Sequence, residues 1–293
     1  MSEKPDLRAV DKVEIWTLQD NYIEITAMDS NAVITRAAPL KDGEIKASIL
    51  AEHGFSALVK TTVEDKTHTM LFDFGFSENG AAQNVQTLGL DLKDVEAVAL
   101  SHGHSDHTGG MVKLTAMIGR TGIPLVVHPA AFQSPRYLKF GEEFKIYFPK
   151  FTRDMVREAG LSVIEADLPY SMLDGNVLFL GGIPHTTDFE KGWPLPHYQK
   201  DGRESWDPIE DDSSIVMNLK DKGLVVLSGC AHAGIVNTVR YAIEATGIDR
   251  IHAIMGGFHL SGPFFEPLID ETARELQKMH PMYVIPTHCT GRK

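Results

Sequence analysis

The sequence predicts a layered α/β protein, of α/β or α/β/β/α plan, on three observations. Ten short apolar or alternating runs bounded by turn residues read as strands, enough for two sheets. Four segments between them carry apolar residues at helical spacing instead. The first half is strand-rich and the remainder alternates strand with helix, which suits layers better than a bundle. One domain is expected for 293 residues, because layered folds of this size commonly share one core.

In chain order the strands are VEIWTL, FSALVKT, HTMLFDFG, VEAVALSH, IPLVVH, NVLFLGG, SSIVMNL, GLVVLSG, IHAIMGG and MYVIP. The helices fall at 78–89 (Ala81, Val85, Leu88), 110–119 (Met111, Leu114, Met117, Ile118), 235–246 (Ile235, Val239, Ala242, Ile243) and 269–280 (Ile269, Ala273, Leu276, Met279). Residues 132–175 break the rhythm, mixing aromatics, charges and prolines without a period. They read as a lid inserted over a site, or equally as a surface excursion with a short helix at 151–159. A second long loop, 188–212, is rich in Pro, Trp and charge.

With 40 acidic against 28 basic residues the formal charge is −12, which repels phosphate backbones and anionic lipid, so neither nucleic acid nor a membrane is expected as a partner. Cys230 and Cys289 are the only cysteines, too few for a disulfide framework, and the reduced cytoplasm is the expected compartment. The N-terminal MSEKPDLRAV has no leader pattern, and no apolar run approaches a bilayer-spanning length.

The chemistry is concentrated in VALSHGHSDHTGG, 98–110. His102 and His104 leave a strand two residues apart, so alternation sends both imidazoles to one side, as one cation requires. Asp106 and His107 follow around a turn and offer a second pair of donors, so two adjacent ions are expected. LVVLSGCAHAGI and YVIPTHCTG end later strands with Cys230 and His232, and with His288 and Cys289, on the same presumed edge.

His102-x-His104-x-Asp106-His107, placed after MLFDFG with Asp73, resembles the signature of the metallo-β-lactamase fold superfamily. The resemblance implies a four-layer αββα sandwich with one or two metals at one edge of the sheets, and a supporting role for Asp73. His288 matches the superfamily's last ligand, but where its middle His and Asp are expected this chain has Glu210-Asp211-Asp212 and Cys230 followed by His232. The working assignment is therefore His102, His104 and His232 on one ion, and Asp106, His107 and His288 on the other, with Cys230 or Asp212 as a further ligand. His259, in IMGGFHLSG, can replace His288 as ligand or act as a proton carrier beside Asp106 in catalysis. His53 in AEHGFS and His185 in GGIPHTTDFE are expected to line the substrate pocket.

AEHGFSALV, DDSSIVMN, GLVVLSGCAHAGIVN, IMGGFHL and PTHCTG further resemble the subgroup labelled 7,8-dihydropterin-6-methyl-4-(β-D-ribofuranosyl)aminobenzene-5′-phosphate synthase-like. The implied activity is hydrolysis of a small intracellular metabolite by a hydroxide generated on two divalent metal ions, zinc first and manganese or iron as alternatives. The synthase reading, a transferase-type condensation, needs a stacking surface, for which Trp193, Tyr198, Trp206, Phe144, Tyr147 and Phe148 are candidates. Arg136, Lys139, Lys145 and Lys150 are candidates to meet a phosphate. Iron-dependent redox chemistry, a non-catalytic ligand sensor and a homodimer are the other expectations left open.

Overall fold

The computed structural model describes residues 5–37, 40–41, 43–45 and 47–292; Met1–Lys4, on which part of the leader reading rests, lie outside them. Two sheets stack face to face. The first runs in the order 161–165, 123–127, 95–100, 66–72, 56–63, 12–19, and the second in the order 170–172, 177–179, 214–219, 223–228, 251–257, 283–287, with Ala9–Val10 added beside 214–219.

Period-two alternation explains the layering. Ala57, Val59, Met70, Phe72, Ala97 and Ala99 point inward and pack with Val177, Phe179, Ile215, Met217, Val225 and Leu227 of the other sheet. Their neighbours Leu58, Leu71, Val98 and Leu100 point outward, under α1 (Gly80–Thr87) and α3 (Met111–Ile118), which follows the single turn α2 (Ser105–Thr108). The short α4 (Arg153–Glu158) joins the same outer layer through Val156. On the far side, Leu178, Val216, Leu224 and Val226 meet α5 (Ile235–Thr246), and α6 (Ile269–Lys278) packs Leu276 against Ile251 and Ile254. The result is the expected four-layer αββα sandwich.

The direction of pairing decides where the loops go. Strands 66–72, 95–100 and 123–127 are mutually parallel, and so are 223–228, 251–257 and 283–287. Parallel strands deliver all their C-terminal ends to one rim of a sheet, the usual place for a site. Asp73, the 102–107 segment, Cys230, His232, His259 and His288 all follow such ends.

The region expected as one lid divides. Arg136–Lys139 and Lys145–Tyr147 pair with Pro196–Lys200 and Arg203–Trp206 in a separate four-stranded antiparallel sheet, so the 188–212 loop helps build the cap. The rest of 132–175 belongs to the body: Phe151, Val156 and Leu161 enter the core, 161–165 becomes the edge of the first sheet, and 170–172 that of the second. Cross-strand pairing at such sequence distance leaves no periodic signal in either segment. No described helix is long and apolar enough to cross a membrane.

Candidate metal centre

Strand ends must turn sharply to aim side chains inward from the rim. Asp73, Ala231, His259 and His288 all do so with left-handed backbone, at φ of 60°, 51°, 47° and 48°. Such residues each cost about 1–2 kcal/mol outside glycine, and strain of this kind collects where surrounding structure holds a functional geometry. Gly229 is needed for a different reason: a Cβ there would stand 2.2 Å from Ser101 Oγ and 2.7 Å from Asp73 Oδ2.

Asp73 organises the ligand loop from beneath. Fully buried, its carboxylate accepts from Ser101 N at 2.7 Å, from Ser101 Oγ at 2.7 Å and from His107 Nδ1 at 2.7 Å. Ser101 Oγ, its proton given to Asp73, accepts in turn from His102 Nδ1 at 3.0 Å. On the far side Asn21 Oδ1 accepts from His288 Nδ1 at 2.8 Å, and Asp20 Oδ1 accepts from the His288 N–H at 2.8 Å. Three imidazoles therefore carry their proton on Nδ1 and turn an Nε2 lone pair toward the rim, the tautomer a metal ligand needs.

Two donor groups include residues of the ligand loop. His102, His104 and His232 form one, with ligand atoms all within 4.8 Å of one another; Asp106, His107, Cys230 and His288 form the other within the same limit. His102 Nε2 lies 3.0 Å from His104 Nδ1 and 3.1 Å from His232 Nε2. A proton can bridge only one of those contacts, whereas a cation between the three satisfies them all. Buried nitrogens without a hydrogen-bond partner, His104 Nε2 and His232 Nδ1, add to the same deficit. The donors fit a divalent cation at each group.

Electrostatics agree. Burial, aided by neighbouring imidazoles, pushes the His102 and His232 pKa values well down, and burial with Arg136 nearby brings His104 to about 3, so all three are neutral donors. Burial opposes charge on Asp106, but His107, His288 and His53 hold its carboxyl well below the usual range; its Oδ2 stands 3.3 to 3.5 Å from their Nε2 atoms. Burial also opposes charge on His107, yet Asp106 and Asp73 carry its pKa up to about 10. That pocket of negative potential wants a positive charge, which a divalent cation supplies while leaving His107 neutral.

The remaining expected residues divide. His53, with its side chain 62% exposed, reaches Asp106 and lines the cavity, and His259 lies in the cavity wall with its ring 4.3 Å from that of His232. Cys230 sits 3.2 Å from His107 Nε2. Asp212 takes part in neither donor group; it accepts from Ala233 N at 3.0 Å to hold the 231–233 turn, and burial raises its pKa to about 7. His185 is exposed and outside the cavity. Asn237 Oδ1 ties Thr186 N and Thr187 N at 2.9 Å each, and the ring of His185 turns to the Glu190 carbonyl, 3.1 Å away.

A cavity of about 470 Å³ opens over the donors, walled by Phe76, Leu138, Phe148, Trp193, Phe264 and Phe265. Phe148 stacks on His104 with centroids 4.5 Å apart. Of the stacking candidates, Phe148 and Trp193 line this cavity; Phe144, Tyr147, Tyr198 and Trp206 do not. Three of the insertion's four basic candidates are committed elsewhere, and the fourth, Lys150, is exposed and does not line the cavity. Arg136 is buried against Asp207 and Asp211, whose Oδ2 also accepts from Gly103 N at 2.7 Å, while Lys139 and Lys145 both pair with Glu204. Asn21 and Asp20 hold His288 directly, while Asp211, paired with Arg136, holds the ligand loop at Gly103 N, and no motif in the sequence marks these roles.

The profile of the metallo-beta-lactamase superfamily matches residues 53–242. The chain belongs to this superfamily. Among curated proteins, the 7,8-dihydropterin-6-methyl-4-(beta-D-ribofuranosyl)-aminobenzene-5′-phosphate synthase of Methanocaldococcus jannaschii is 28% identical over 97% of this chain and 90% of its own length. An uncharacterized protein of the same organism is 28% identical over 87% of this chain and 90% of its own. The crystal structure of Tm1679, a metal-dependent hydrolase of the beta-lactamase superfamily, superposes with a TM-score of 0.71 at 24% identity, covering 96% of this chain and 90% of that one. It shares the fold. As in the superfamily at large, the centre is metal-binding.

Proposed function

We propose that this chain is a hydrolase with two divalent cations, zinc first, acting on a small uncharged metabolite in the cytoplasm. The observation that carries the reading is the set of Nε2 lone pairs that Asp73, Ser101 and Asn21 aim into the two donor groups beneath an apolar cavity. His102, His104 and His232 would hold one cation, and Asp106, His107 and His288, with Cys230, the other; imidazole, carboxylate and thiolate donors suit zinc. When bound, such a pair lowers the pKa of water and polarises an acyl or phosphoryl oxygen.

The chain's own residues do the rest. His53 bridges Asp106 to solvent and can carry a proton out, since its bond to Asp106 raises its pKa against partial burial. His259 also lines the cavity and can protonate a leaving group. Phe148, Trp193, Phe264 and Phe265 exclude water and accept a flat or acyl group. No Lys or Arg is among the described residues lining the cavity, so a substrate phosphate would find its counter-charge only at the cations.

A second reading, condensation of a dihydropterin with a ribofuranosylaminobenzene phosphate, is favoured by the near full-length similarity to the synthase. It would use the same centre and stack the pterin on Phe148. One experiment separates them. Purified protein is analysed for metal, then assayed against neutral esters and lactones and, separately, with the two condensation substrates. Zinc with ester or lactone turnover that is lost in His102→Ala is expected. Condensation without hydrolysis would replace the first reading with the second, and stoichiometric iron with redox turnover would overturn both.

A further inference from the structure

We propose that Cys230, Cys289 and His259 form a third cation position, thiophilic in character, in the wall of the same cavity. The two thiols are buried and face each other with Sγ atoms 3.3 Å apart. A ring nitrogen of His259 and the two sulfurs all lie within 4.8 Å of one another, in a group separate from the His102, His104 and His232 set. Tetrahedral zinc with Zn–S of about 2.3 Å places two sulfurs roughly 3.7 Å apart, so a small rotation of either thiol completes the geometry.

The backbone is shaped to admit them. At Gly257 a Cβ would stand 2.7 Å from Cys289 Sγ and 2.3 Å from Gly229 O, so the approach of Cys289 depends on the missing side chain. Phe258 N donates to Thr290 Oγ1 at 2.9 Å and fastens the His259 loop to the Cys289 turn. His259 Nδ1 is buried without a partner. Two thiols can offer each other only weak hydrogen bonds, so burying both beside an unpaired imidazole nitrogen leaves a donor set that a soft cation satisfies best. All three residues line the cavity, which gives a cation its route in.

Cys230 also stands 3.2 Å from His107 Nε2, so its sulfur is shared between this position and the neighbouring imidazole group. The cations expected are thiophilic: Cd²⁺, Cu⁺, or Zn²⁺ in excess. Occupation would take the His259 nitrogen and so inhibit turnover. That consequence rests on the proton-carrying role proposed for His259; the site itself does not.

The test adds Cd²⁺ to the reduced full-length protein carrying its resident metal. It reads thiolate-to-cadmium ultraviolet absorption, the cadmium and resident metal retained after desalting, and alkylation of Cys289 by iodoacetamide, mapped by mass spectrometry. One equivalent of cadmium beyond the resident metal, with thiolate absorption and protection of Cys289, is expected. Cys289→Ser and His259→Ala should each lose that equivalent while keeping the resident metal. The protection measurement needs no variant, so poor folding of either leaves the proposal testable. Cadmium retained without thiolate absorption, unprotected Cys289 at saturating cadmium, or equal uptake by folded Cys289→Ser would overturn it.

Discussion

Replacing Asp73 with Asn keeps the shape of the side chain and removes its charge and half its accepting capacity. The wild-type carboxylate takes three protons at 2.7 Å, from Ser101 N, Ser101 Oγ and His107 Nδ1. If the amide nitrogen occupies the Oδ2 position, it faces the His107 Nδ1 proton, donor against donor. The imidazole then escapes only by moving its proton to Nε2, where the lone pair for a cation lies. If the amide flips, the clash moves to the Ser101 N–H. Either arrangement leaves a buried mismatch of about 1–3 kcal/mol. Changing a partner that orients a metal-binding His typically weakens the metal about 10- to 100-fold, which is roughly 1.4–2.7 kcal/mol. Competition with a chromophoric chelator, followed by elemental analysis, should show the cation held by Asp106, His107 and His288 weakened in that range. The one held by His102, His104 and His232 should change less, because Asp73 reaches His102 only through Ser101. A folded variant whose two affinities both stay within about twofold of wild type would refute this account of the tautomers.

Arg136→Met should lower stability by about 3–5 kcal/mol, read by urea melts, because it strands Asp207 and Asp211 as buried unpaired carboxylates. Asp211 gives an acid signature. Burial opposes its charge, but Arg136 holds its folded pKa at about 2 against 3.8. Its stabilisation, about 2 kcal/mol, is therefore present above the ordinary carboxylate pKa and lost as pH falls through the folded value. Burial raises the Asp207 pKa and contributes with opposite sign, so the readout is the difference in acid slope between wild type and Asp211→Asn, which should flatten. Phe148→Ala and Trp193→Ala remove apolar wall while leaving every donor side chain in place, although Phe148 packs on His104 and Trp193 on His232. On whichever substrate is found, KM should rise about tenfold, roughly 1.4 kcal/mol of binding, with kcat changed less; an unaltered KM would place the substrate elsewhere.

Much of this architecture can be read from residue order. Alternation in FSALVKT, HTMLFDFG, VEAVALSH and GLVVLSG fixes two-faced strands, and the helical spacing at 235–246 coincides with the observed helix. Strand ends also identify the residues that meet at the rim: His102, His104, Asp106, His107, Cys230, His232 and His288 are all visible as donors that close an apolar run. Local periodicity does not report which distant segments pair. The 136–139 strand meets 196–198 in a sheet that neither segment advertises, and 161–165 belongs to the body rather than to a lid.

The sequence by itself determined the donor types, their order and the strand ends that carry them, because period and residue chemistry are local properties. Only the tertiary structure decided how those donors are aimed. Parallel pairing gathers the ends, Asp73 and Asn21 set the tautomers from positions remote in the chain, and His185 lies outside the cavity with its ring on the Glu190 carbonyl. It also brings Cys289 against Cys230. Aim depends on contacts between segments up to 268 residues apart, as from Asp20 to His288, and no window of sequence contains both partners.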